Sequence, residues 1–171
     1  MKIEQEALLI VAKLMCVAAR TAPKARGVDN IVTKIISGKQ KIRLIERMEK
    51  IGIKENKPSF VRDAENLKVA SYVVLIGTKI KPMGLTYCNF CGFEGCEQAT
   101  LHNAVCAFNT IDLGIAVGSA VSTAIDNRAD NRVMYSAGIN ALELGFLGKD
   151  VKVALGIPVS ASGKNPFFDR K

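Results

Sequence analysis

Between Ile3 and Thr21 apolar side chains occupy most helical faces, interrupted by Glu4, Gln5, Glu6, Lys13 and Arg20. The pattern predicts a helix over 3–21 that lies centrally or at a dimer interface. Thr21 to Gly27 contains Pro23 and Gly27 and ends it. Asn30 to Ile36 is rich in β-branched residues and predicts a strand. The spacing then changes to a helical one over about 40–52, with Ile42, Ile45, Met48 and Ile51 turned inward. Residues 59–67 read as a short helix or loop. Ala70 to Thr78 is a continuous apolar run, the mark of a strand covered on both faces.

Beyond a cysteine-rich segment at 84–106, Thr110 is placed to cap a helix over 111–125, where Gly114 and Gly118 permit a close helix contact. Asp126 to Asn131 is a polar break, or a solvated stretch joining two helical pieces. A helix over 132–144 stops at Gly145, Val151 to Leu155 is a strand, and 156–171 reads as an irregular tail. There is no repeat and no linker, so 1–171 forms one α+β domain.

Of the 171 residues 49% are hydrophobic, 23% are charged and only 5 are Pro, which excludes disordered and fibrous classes. The net charge of +8 is concentrated in Lys34, Lys39, Lys41, Arg43, Arg47, Lys50, Lys54 and Lys57, against Glu46, Glu49 and Glu55. That stretch reads first as a solvated helix face. The alternative is a docking surface for an acidic electron-carrier protein. Nucleic-acid binding calls for basic residues interleaved with stacking aromatics, and that pattern is missing. Glu4 and Glu6 stand where a secretion signal needs positive charge, and the run Leu113–Ile125 is too short to span a bilayer. The expectation is a cytoplasmic protein with no membrane span. In that reducing compartment five cysteines serve as ligands or catalysts rather than disulfides.

Cys88, Cys91, Cys96 and Cys106 make the spacing C-x2-C-x4-C-x9-C. A [4Fe–4S] cluster needs four converging thiolates, which a tight loop and the following helix can supply. Gly92 and Gly95 let the loop curl and aim N–H groups at sulfur, and Tyr87, Phe90 and Phe93 are available to exclude water. Zinc is the alternative metal, although it favours two closely spaced cysteine pairs and only Cys88–Cys91 is one. Cys16 reads as an ordinary core cysteine. His102 is an alternative ligand or a polar helix position.

The segment Cys88 to Ala99, together with Asp112 to Val121, Asp126 to Arg128, Asn131 to Met134 and the tail Ile157 to Arg170, resembles a prokaryotic family of uncharacterised ferredoxin-domain proteins. A second resemblance concerns the scaffold. Ala18 to Gly27, Ala70 to Thr78, Ala141 to Gly148 and Val151 to Pro158 are similar to nitroreductases. The resemblance implies nitroreductase-like helices around a central, mostly antiparallel sheet, with 84–106 as an inserted iron–sulfur segment. It also implies a homodimer with FMN at each subunit boundary. Pro23, Lys24 and Arg26, the turn glycines Gly145 and Gly148, and Lys164 would then lie beside the cofactor. The Arg-Ser-x-Arg motif of that family is missing from the sequence, and Lys24 stands where its Ala-Pro-Ser turn has Ser. Together these readings give an electron-transfer protein or oxidoreductase. A non-enzymatic dimeric module with a structural or redox-sensing metal is the alternative. Asp112, Asp126, Asp130 and Asp169 are carboxylates with no assigned catalytic role.

Overall fold

The computed structural model describes residues 3–168. Its centre is strand β2 (Tyr72–Lys79), buried from Val73 to Thr78. β2 pairs antiparallel on one side with β1 (Ile31–Ile36), Ile31 opposite Thr78 and Ile36 opposite Val73. On the other side it pairs antiparallel with β4 (Val151–Ser160), Tyr72 opposite Val159. A two-residue strand β3 (Asp130–Asn131) closes the order β1-β2-β4-β3. The polar break at 126–131 therefore supplies an edge strand.

Alternation along β2 feeds two cores. Val74 and Ile76, with Ile31, Ile157 and Val159, face helices α1 (Ile3–Thr21) and α5 (Ala107–Asp126). Val73 and Leu75, with Ile36 and Ala154, face α2 (Gly38–Lys54), α3 (Pro58–Val69) and α6 (Tyr135–Glu143). The result is three layers, helices on both faces of an antiparallel sheet.

Several expectations need correction. β4 runs on to Ser160, through Pro158, where the sequence reads as irregular. Gly156 exchanges backbone hydrogen bonds with Met134, away from β2. Pro158, two residues on, turns its nitrogen to that same side, between the Met134 bridge and β3, so no bond to β2 is lost. On α2 the inner stripe is Leu44, Ile45, Met48 and Gly52, while Ile42 is 51% exposed. Cys106, not Thr110, occupies the N-cap position of α5, and the Thr110 hydroxyl donates to the Ala107 carbonyl inside the first turn. α5 also begins earlier than expected. With 20 residues it meets the length and composition of a membrane-crossing helix, but its inner face, including Leu113, Ala116 and Ala120, packs into the core.

The basic residues around α2 are largely tied into the structure. Arg47 pairs with Glu143 of α6, and Lys41 donates to the Ala70 carbonyl at the start of β2. Lys34 and Arg43 lie over the Phe146 ring.

α6 meets β4 without an intervening side chain at Gly138, where a Cβ would stand 1.9 Å from the Ala154 carbonyl oxygen. Backbone cannot yield as a side-chain tip can. Gly138→Ala is therefore expected to cost at least about 1–3 kcal/mol in thermal or urea unfolding, whereas Gly163→Ala, with open space around it, leaves stability unchanged.

A second tether joins the end of α1 to β1. The Arg20 guanidinium donates to the Asp29 carboxylate and to the Ile31 carbonyl, and Asp29 accepts from the Ile31 N–H. Burial alone would raise the Asp29 carboxyl. The Arg20 and Ile31 hydrogen bonds and the charges of Arg20 and Lys24 outweigh burial and hold it below the ordinary carboxylate range. The stabilisation is complete above the unfolded-state value of about 3.9 and disappears as pH falls through the lowered folded value. Asp29→Asn should thus destabilise by less than about 1 kcal/mol at neutral pH, and the gap from the parent protein should close in acid when both are melted across pH.

Candidate metal centre

β1 begins, β2 ends and β4 begins at one end of the sheet. The cysteine segment leaves β2 at this end. Residues 80–94 form a loop without helix or strand, followed by the short helix α4 (Gly95–Leu101), and Cys106 directly precedes α5. Cys88, Cys91, Cys96 and Cys106 all line one small cavity with Met83, Leu85, Phe90 and Phe108. All four are free thiols.

The loop is held from both flanks. The buried Asn109, in the first turn of α5, accepts a hydrogen bond from the Lys81 N–H (2.8 Å). The Arg26 guanidinium donates to the Met83 carbonyl (2.7 Å), and Arg26 itself sits in the left-handed region at φ 55°. The buried Asp112, also on α5, accepts from the Ala25 N–H and so fixes the turn that carries Arg26. The carboxylate that the sequence left without a role is thus part of the loop's foundation. Sequence reading missed Asn109 altogether, because its contact crosses 28 residues.

The aromatic residues divide differently from the expectation. Phe90 lines the cavity and stacks on Phe108, Phe93 stacks on His102, and Tyr87 is 99% exposed. Met83 and Leu85 take the place expected of Tyr87 and Phe93. Gly92 and Gly95 do adopt positive φ, 82° and 83°. Their N–H groups, however, donate to the Asn89 and Phe93 carbonyls rather than towards sulfur. His102 is outside the cavity lining. Cys16 is partly buried against the α1–α5 core, where burial pushes its thiol up despite a hydrogen bond with Thr33 and the Arg20 charge.

Four soft thiols around one apolar-walled space are a donor set that suits an iron–sulfur cluster or zinc. Among the described residues no three His, Cys, Asp or Glu side chains form a group able to hold a metal ion. The space measures about 10 Å³, room for about one water. That is less space than a four-iron cluster occupies.

The residues read for a flavin do not assemble in one protomer. The Lys24 ammonium donates to the Ala19, Arg20 and Ala22 carbonyls and closes the end of α1. Pro23 lines a shallow depression between α1 and α5, and Arg26 is committed to the cysteine loop. Gly145 and Gly148 border a separate hollow at the α6–β4 turn. Lys164 follows Ser160 at the far end of β4, whose ten residues span about 30 Å. Asp130 accepts from the Asn165 amide; Asp126 ends α5; Asp169 lies outside the described residues.

The relatives agree with this architecture. A protein of Archaeoglobus fulgidus is 39% identical over 175 residues, covering 98% of this chain and 94% of the relative. A family model described as "Uncharacterized protein containing a ferredoxin domain (DUF2148)" matches residues 102–170. The chain belongs to this ferredoxin-domain family. The matched segment includes Cys106 and α5 but begins after Cys88, Cys91 and Cys96. Among solved structures, a nitroreductase family protein from Clostridium novyi superposes with a TM-score of 0.63 at 17% identity, covering 99% of this chain and 79% of that one. The FMN-dependent nitroreductase NfnB from Mycobacterium smegmatis, solved in complex with NADPH, gives 0.62 at 13% identity, with 95% and 80% covered. A Desulfitobacterium hafniense nitroreductase with bound FMN gives 0.60 at 15%, with 96% and 81% covered. The fold is nitroreductase-like, as the sequence resemblance implied.

The anchoring predicts a change in loop dynamics. A hydrogen bond from a charged donor is worth roughly 1.5–3 kcal/mol, so Arg26→Ala should speed hydrogen exchange of amides 83–95 about tenfold or more. Exchange in β2 should be unchanged. Equal protection of the loop in both proteins would remove Arg26 from this role.

Proposed function

We propose that the protein is an iron–sulfur redox protein whose Cys88, Cys91, Cys96 and Cys106 hold one [4Fe–4S] cluster. The observation that carries the reading is the meeting of all four free thiols in one cavity. The thiolates would bind, the pinned flanks at Met83 and Cys106 would set their spacing, and Met83, Leu85, Phe90 and Phe108 would exclude water. Such a cluster supplies one-electron transfer when bound. The family description and the redox scaffold on which the cysteines are mounted support the same reading. The inserted segment 84–106 is the part of the chain specialised for it.

Protein purified without oxygen should contain roughly four iron and four sulfide per chain and bleach on reduction, and Cys96→Ser should lose most of that iron. Stoichiometric zinc without sulfide in anaerobically purified protein would replace this reading with a structural or sensing metal module. FMN, named for the Mycobacterium and Desulfitobacterium proteins, would add two-electron chemistry. Its candidate residues lie apart within a protomer. Flavin released on denaturation is its separate readout.

The same reading includes a homodimer. Ile10, Leu14 and Val17 on α1 and Ile111 and Ile115 on α5 are exposed. Gly114 and Gly118 beside them leave open space where a Cβ would stand. An apolar stripe on the outer helical layer is a surface for a second copy. Light scattering should give twice the chain mass, and Leu14→Glu with Ile115→Glu should give a folded monomer. A monomeric parent protein would contradict it.

A further inference from the structure

A second cavity lies apart from the thiols, and residues adjacent in sequence line the two. It is a cleft of about 680 Å³ at the same end of the sheet. Lys79 and Lys81 reach it from the end of β2, and Lys149 and Lys152 from the start of β4. Four lysines and one acidic residue, Asp150, thus line it, with Lys149 and Lys152 also bordering the hollow beside Gly145 and Gly148. Among the described residues none of the four lysines is in an ion pair, whereas Arg20, Arg47, Lys54, Arg62 and Lys68 all have carboxylate partners. Basic charge without a carboxylate partner is therefore gathered in a concave place here, whereas on α2 Lys39 and Lys50 stand on an exposed helix face.

The cleft also has a polar floor. Asn30 lines the cleft, is only 7% exposed, and its Nδ2 has no hydrogen-bond partner. A buried amide donor without an acceptor is unfavourable unless something supplies one. Size then selects the class. A cleft of this volume lies within the range of about 300–1,000 Å³ typical of organic ligands and is far larger than a lone inorganic ion needs. Its lining also has an apolar part, Ile80, Pro82 and Val105, against which a ring can pack.

We propose that this cleft binds a phosphorylated ligand of nucleotide size. Its phosphates lie among Lys79, Lys81, Lys149 and Lys152, beside Asn30, and its ring rests on the apolar wall. The neighbours of two wall residues, Met83 after Pro82 and Cys106 after Val105, line the cysteine cavity. The ligand is therefore held one wall away from the thiols, while the binding itself does not depend on a metal being there.

The test is calorimetric titration of the full-length protein with ADP, inorganic pyrophosphate and adenosine at two salt concentrations. ADP is expected to bind, pyrophosphate to compete with it, and adenosine to bind at least tenfold more weakly. Lys81→Ala with Lys152→Ala, both exposed positions, should weaken ADP at least tenfold with unchanged circular dichroism and iron content. Lys39→Ala with Lys50→Ala removes the same charge from α2 and should leave affinity unaltered. Three results would overturn the proposal: no ADP binding at millimolar concentration, equal weakening by the α2 pair, or an acidic electron-carrier protein binding through Lys81 and Lys152 while ADP fails to compete.

Discussion

Pairing of β2 with β1 on one side and β4 on the other is the constraint on which the rest of the molecule depends. Six consecutive buried residues, Val73 to Thr78, leave this strand no solvent-facing side. Its hydrogen bonds must be made to neighbours, and its two faces must each receive a helical layer. Because both pairings are antiparallel, the end of β2 meets the starts of β1 and β4. Three chain segments are thereby delivered to one place: the Arg26 turn, the cysteine loop and the lysines around Val151.

α5 converts this placement into a site. It carries Cys106 at its N-terminus, and its first turns present Asn109 and Asp112 inward, both buried. Polar residues at core positions are costly unless paired. Here one oxygen of each accepts from the backbone of Lys81 and Ala25, the two segments flanking the cysteine loop, while Asn109 Nδ2 and Asp112 Oδ2 have no partner among the described residues. The loop between these anchors, residues 80–94, lacks helix and strand.

Much of this was legible in the sequence, and the exceptions share a physical cause. The continuous apolar run Ala70–Thr78 is typical of a doubly covered strand, and the spacing of Cys88, Cys91, Cys96 and Cys106 singled out the four residues that line one cavity. The second half of β4 was not legible, since Gly156 and Pro158 are breakers unless the side of the strand on which the proline nitrogen falls is known. The short helix α4 was hidden within the cysteine segment. The roles of Arg26, Asn109 and Asn30 depend on partners 28 to 57 residues away or on a cavity wall, and no local pattern encodes them. Lys24 shows the opposite error: a lysine at a turn suggested a phosphate ligand, but three helix-end carbonyls claim its protons.

The central claim, one polynuclear centre held by four thiolates at the end of the sheet, is tested most directly by X-ray absorption at the iron edge on anaerobically prepared protein. A cluster ligated by Cys88, Cys91, Cys96 and Cys106 requires an all-sulfur first shell together with an iron–iron scattering path. A first shell of sulfur with no metal–metal path, or a shell dominated by nitrogen and oxygen, would contradict it.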